Sequence, residues 1–164
     1  MFRFLILISL LLVSLEANSN KKDGLAYLNT IRDQAGLIKF KTNKALEKAA
    51  LSHAKYLIHN QTKSHYEKRG KPAFTGTTPS KRVVKAGYPT AYVMENLSIN
   101  TKGYRRSIES IFSAIYHLFA FLSFYKDEIG FWHVLSNKKR KVKRSYVYNI
   151  GYSGIDSLFK KSFS

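Results

Sequence analysis

Ser64-His65-Tyr66-Glu67, Phe74-Thr75-Gly76, Lys85-Ala86-Gly87-Tyr88 and Met94-Glu95-Asn96-Leu97-Ser98 punctuate the stretch 64–98, on which the reading of this chain turns. The stretch is too rich in Gly, Pro and Thr to be one long helix. It gathers one imidazole and two carboxylates within a short run, and a second imidazole, His117, follows on an expected helix. Two histidines and two carboxylates carried by separate segments are a set able to converge on one pocket.

On the N-terminal side the pattern is helical. Leu25, Leu28, Ile31 and Ala35 recur at three-to-four spacing, with Arg32 among them and Gly36 as a stop. After an extended link over Leu37–Phe40, Asn43 is placed to cap a second helix. Its apolar stripe runs through Ala45, Leu46, Ala49, Ala50, His53, Ala54, Leu57 and Ile58. A histidine inside such a stripe reads as a hydrogen-bonded core residue. His59, at the helix end, suits the dipole there and carries no chemistry.

Within and beyond the central stretch, Thr78 and Ser80 can start a short helix that Gly87 ends, and 92–97 reads as extended. Ile108, Ile111, Phe112, Ile115, Leu118 and Phe119 predict one continuous helix with His117 in its C-terminal half. Residues 128–134 and 145–153 are aromatic and β-branched and predict an antiparallel pair. Phe131 and Trp132 read as a core aromatic pair rather than a sugar platform. Helices followed by strands, without βαβ alternation, indicate an α+β layered fold.

At 164 residues the chain has the length of one domain able to bury a core without metal or disulfide. It contains no cysteine, so no redox state enters its stability. Arg3 followed by a largely apolar Phe4–Val13 and then Ala17-Asn18-Ser19 has the form of a secretory signal peptide over 1–17, cut near Ala17 or Ser19. The run is too short to span a bilayer as a helix. A periplasmic or secreted location is expected.

Cutting there removes Arg3 and Glu16, so the net charge of +18 stays with the mature chain. Much of it sits in Lys138-Lys139-Arg140-Lys141-Val142-Lys143-Arg144. Outside the cytoplasm such charge favours anionic cell-envelope components: a lipid surface, acidic polysaccharide or released nucleic acid without sequence specificity. The same run also reads as an ordinary solvated loop. Other chemistries lack their signatures: there is no Cys nucleophile, no Gly-x-Ser-x-Gly elbow and no phosphate- or dinucleotide-binding glycine pattern.

Leu28-Asn29 with Arg32 and Ala35-Gly36, then Leu46, Ala49-Ala50 and His53-Ala54, resemble the opening helices of bacterial CAP-superfamily domains. These are the SCP-like domains of the cysteine-rich secretory, antigen 5 and pathogenesis-related proteins. The four motifs quoted first, followed by Tyr116-His117 and Glu128-Ile129-Gly130, are similar to a cysteine-free bacterial branch. The chain departs from that branch at Leu118, where arginine is expected, and at Phe131-Trp132, where a second glycine is common.

The resemblance implies a CAP/SCP-type α-β-α sandwich over 23–158 with a cleft of two histidines and two acidic side chains. Residue by residue, His65 matches the first histidine, Glu95 the glutamate of the Glu-Asn pair and His117 the second histidine. The second acid is open: Glu67, which would face the same way as His65 on an extended segment, or Glu109 or Glu128.

His65, His117 and Glu95 form an acceptable field for Zn²⁺ or another divalent metal, with a place for water. A carboxylate beside that water would give a metal-dependent hydrolase. Alternatively, a buried His–Glu pair simply ties loops together. Enzymatic activity is not general in the family. The expectation is therefore a binding module for a small ligand or metal, with a hydrolase and a lipid-binding carrier as the other readings.

Overall fold

The computed structural model describes residues 21–154. The expected signal peptide over 1–17 and residues 155–158 of the expected domain lie outside the described residues.

Helix α1 (21–34) ends where Gly36 turns left-handed at φ +70. After it come β1 (Lys41–Thr42) and the long α2 (Lys44–Asn60), which starts where Asn43 Oδ1 accepts the N–H groups of Ala45 and Leu46. Helix α3 (Pro79–Lys85) is capped by Thr78, with proline in its first turn. Then follow β2 (Met94–Ile99), α4 (Tyr104–Phe112), α5 (Ile115–Phe121), β3 (Glu128–Leu135) and β4 (Arg144–Gly151).

The four strands make one sheet in the order β1-β3-β4-β2. Strand β1 pairs parallel with β3, Lys41 opposite Glu128, while β3 and β4 run antiparallel from Glu128↔Gly151 to Leu135↔Arg144. Strand β2 adds antiparallel to β4, with Glu95 opposite Asn149, and is the outer strand on that side.

Side-chain alternation along β4 makes the layers. Tyr146, Tyr148 and Ile150 join Leu28, Tyr104, Ile108, Ile111 and Phe121 in the core beneath α1, α4 and α5. Val147, between them, packs with Ala50, Ala54, Tyr56 and Leu57 of α2 on the other face. With β4 buried on both sides, the result is the α-β-α sandwich that the resemblance implied.

Helix α2 lies flush on the sheet because Gly130 has no side chain. A Cβ there would sit 2.1 Å from Glu47 N and 2.2 Å from Leu46 C.

Arg32 anchors the other layer. Its fully buried guanidinium donates to the carbonyls of Ile38 (2.7 Å), Phe121 (2.5 Å) and Lys126 (2.7 Å), and stacks on Phe40 at 3.8 Å. Burial pulls its pKa down to about 10, against the opposing pull of Asp127.

Two expectations fail. The helix expected through Phe119 is two helices, broken at Ser113–Ala114, where Ala114 is extended at φ −113. Ser113 Oγ donates back to the Ser110 carbonyl (2.7 Å), which competes with the helical ladder. The bonds from Asn96 to the His117 carbonyl and from Arg32 to that of Phe121 hold α5 in its own direction. His117 therefore lies in the first turn of α5.

The aromatic pair also divides. Phe131 is buried, whereas Trp132, its neighbour on the strand, faces outward beneath the Lys21 ammonium, 4.2 Å from the ring. Successive strand residues point to opposite faces, so a core pair could not form there.

Candidate functional site

The candidate residues meet at the outer strand β2. Glu95 and Asn96 point to opposite faces of it, as period-two alternation requires. Glu95 turns to the α2 side and Asn96 to the α5 side, where its amide donates to the His117 carbonyl at 2.9 Å. The His65 and His117 rings lie 6.4 Å apart, centroid to centroid, tilted by 37°. His117 is exposed and His65 is partly so.

Behind these rings is a buried charge network. Arg82 Nη2, from α3, donates to Glu95 Oε2 at 2.7 Å and to Oε1 at 2.9 Å. His65 Nδ1 donates to the same Oε1 at 3.0 Å. Glu67 turns to different partners. Its Oε1 accepts from His53 Nδ1 (2.9 Å), and its Oε2 accepts the N–H groups of Thr75 (2.6 Å) and Gly76 (3.1 Å). The Thr75 hydroxyl adds a further bond at 3.1 Å.

Arg82 Nε is 3.8 Å from Glu67 Oε1, an ion-pair distance without a hydrogen bond. His53 Nε2 faces the Ser64 carbonyl at 3.1 Å, with Glu95 Oε1 at 3.7 Å. Two carboxylates, a guanidinium and an imidazole thus share one core, each of the four side chains at most 1% exposed.

The electrostatics follow from this packing. Burial pushes the Glu95 carboxyl up, but the bond from His65, the field of His53 and the charge and bond of Arg82 together outweigh it. The net pKa lies below the ordinary 4.5. Glu67 is likewise pushed up by burial and brought below 4.5 by His53, the Thr75 and Gly76 amides and Arg82. Both are ionised at neutral pH, and both are held by internal donors.

His65, Glu95 and His117 are brought together, and Glu67 adjoins them through His53 and Arg82. Glu67 does not share a partner with His65, because 64–67 is irregular rather than a strand. The other two candidates for the second acid are elsewhere. Glu128, on β3, accepts from Tyr88 Oη (2.8 Å) and Asn43 Nδ2 (3.0 Å) at the N-terminal end of α2, and Glu109 pairs with Arg105 along α4.

Sequence reasoning missed Arg82 entirely, and treated His53 as a core residue without seeing its carboxylate partner. Among the described residues no three His, Asp or Glu side chains are grouped so as to hold a metal ion. Glu95 explains why: its oxygens are committed to a guanidinium and to the proton side of His65. It holds the His65 ring from within rather than standing free as a third ligand. That leaves two imidazoles, a small donor set for Zn²⁺.

The fold and this His/Glu/Arg arrangement define an SCP-type α-β-α sandwich. The cysteine-rich secretory protein family, CAP, matches residues 25–148, and the chain belongs to that family. No curated protein matches it.

Among solved structures it is similar to an outer surface protein from Borrelia burgdorferi (TM-score 0.71, 20% identity, 83% of this chain and 94% of that one). It is also similar to an extracellular SCP-domain protein from Bacillus anthracis (TM-score 0.67, 17% identity, 84% of this chain, 41% of that one). A cysteine-rich secretory protein from Staphylococcus aureus matches with a TM-score of 0.55 at 16% identity, over 81% of this chain and 39% of its own length. At these identities the likeness is one of fold.

Proposed function

We propose that the chain is a secreted or periplasmic binding module of the CAP family. Its cleft between His65 and His117, backed by Glu95 and Glu67, takes a small ligand or a divalent ion. Its basic surface engages anionic envelope components.

One observation carries the cleft reading. Both carboxylates near the cleft are buried and taken up by internal donors, while two imidazoles remain open to solvent. A general base must lie within reach of the proton it takes, and neither buried glutamate reaches the solvent side. The chemistry of the cleft therefore falls to the two rings.

The outer-surface and extracellular names of two structural neighbours favour export. Among the described residues no helix is long and apolar enough to cross a membrane. The basic run is held in place, since Asn100 bonds the Lys141 carbonyl and the Lys143 and Arg144 amides. It therefore presents its lysines from a fixed loop.

Calorimetric titration with Zn²⁺ tests the cleft. The expected result is a single class of site that His65→Ala and His117→Ala each weaken by about tenfold or more. The melting temperature of His117→Ala should stay at the wild-type value, because the side chain is exposed. Wild-type binding by both variants would overturn the reading.

The second reading, hydrolysis, has one observation in its favour: Glu95 orients His65 as a carboxylate orients a catalytic imidazole. A substrate turned over by the wild type and not by His117→Ala would replace the binding module with an enzyme.

A further inference from the structure

The segment 110–125 carries no Asp, Glu, Lys or Arg. Its apolar side chains are only partly used by the core. Ala120 and Phe121 of α5 are buried, but Ile115, Tyr116, Phe119, Phe124 and Tyr125 are 58–84% exposed. Tyr92, also largely exposed, adjoins this face: the Lys126 ammonium sits 3.5 Å above its ring and donates to its carbonyl at 3.0 Å. Five large exposed apolar residues within eleven positions are a denser exposure than the scattered one usual on a protein surface. The face is also held firmly from beneath. Arg32 binds the Phe121 carbonyl, and the Phe121 ring packs edge-on against Phe112 and Tyr148.

Charge decides what covers it. A second copy would bring another +18 against the first, a repulsion that opposes self-association. An anionic bilayer is attracted by the same charge. Tyrosine and phenylalanine beside isoleucine are the side chains that settle at a lipid–water interface, and no carboxylate within 110–125 repels headgroups.

We propose that α5 and the loop that follows it form a membrane-docking face, seating Ile115, Tyr116, Phe119, Phe124 and Tyr125 in the interface of an anionic bilayer. This rests on the reading of the chain as an envelope-binding module and names the face involved. Because His117 lies between Tyr116 and Leu118, docking places the cleft at the bilayer surface.

The test is sedimentation of purified protein with equimolar phosphatidylglycerol/phosphatidylcholine vesicles, and with phosphatidylcholine alone, at about 0.15 M salt. Binding is expected on the anionic vesicles. The triple variant Phe119→Ser/Phe124→Ser/Tyr125→Ser should bind at least about tenfold more weakly while melting as the wild type does. Phe124→Trp, which keeps the face intact, should show emission quenched by brominated lipid well beyond that of the wild type, whose Trp132 sets the background.

Undiminished binding by the triple variant without quenching of Phe124→Trp would overturn the docking face and leave a purely electrostatic association. Lipid-free dimerisation that the triple variant abolishes would assign the face to a second copy instead. Failure of the wild type to bind anionic vesicles would overturn the envelope reading itself along with this inference.

Discussion

Arg82→Leu is expected to cost about 3–5 kcal/mol of folding stability, the range for removing one partner of a buried ion pair. For a domain of this size that lowers the melting temperature by on the order of 10 °C. The leucine fills much of the space but leaves Glu95 with only His65 and His53, and Glu67 without its nearest guanidinium. Desolvated carboxylates without counter-charge are among the most costly groups a core can hold.

Arg82→Lys should recover part of the loss. An ammonium restores the charge, although it cannot span both Glu95 oxygens and the Gly76 carbonyl as the guanidinium does. Thermal melts of the two variants measure this. Equal and small losses would mean that the network contributes little.

Gly130→Ala is the second large effect. An alanine-for-glycine change with room for its Cβ acts through backbone freedom alone: it stabilises slightly where the native φ suits alanine and costs about 1–2 kcal/mol where φ is left-handed. Gly36 is of that kind, with open space around its missing Cβ and only its φ of +70 to object. At Gly130 the obstacle is the backbone of α2 itself, at 2.1–2.3 Å. A helix cannot yield as a side-chain tip does, so it must lift from the sheet.

Lifting α2 disturbs the Asn43–Glu128 contact and the Asn149 amide bond to the Leu46 carbonyl. It also shifts His53, which lies midway along α2 and holds Glu67. A loss of at least about 3 kcal/mol is expected, as for severe overpacking, with Gly36→Ala as the mild control. Denaturant melts that rank the two variants equally would contradict the close approach of helix and sheet.

Most of the framework was legible in the sequence, because it rests on local signals. Asn43 and Thr78 cap helices and Gly36 and Gly87 end turns. The alternating aromatics of 145–151 form a strand, and the order of motifs from Leu28 to Gly130 carries the family. What was hidden depended on contacts between distant residues.

Nothing in the spacing of 104–121 marks a break at Ser113–Ala114, since no proline or glycine stands there. The break is sustained by Asn96 and Arg32 from other elements. Arg82 was hidden for a similar reason. In Lys81-Arg82-Val83-Val84-Lys85 it looks like one more cation in a basic chain, and only the fold reveals that it is buried while its lysine neighbours are exposed.

The arrangement around the candidate residues was hidden for the same cause. His65, Glu95 and His117 do come together, but the sequence could not show that Glu95 was already occupied. Nor could it show that Glu67 would turn to His53 and the Thr75–Gly76 amides, even though that buried pairing is where its charge is least costly.

The claim beneath all of this is that the two carboxylates are internal supports and the two imidazoles are the working surface. Thermal melting of Glu95→Gln as a function of pH tests it most directly. A carboxyl whose folded pKa lies below 4.5 contributes stability that is fully present above 4.5 and is lost as pH falls through the folded value. The wild type should therefore weaken as the pH drops below 4.5. Glu95→Gln should already be lower at pH 7 by several kcal/mol and should show a shallower acid decline. A variant that melts with the wild type at pH 7 and follows the same acid curve would contradict the account, and would return Glu95 to the cleft as a ligand-facing residue.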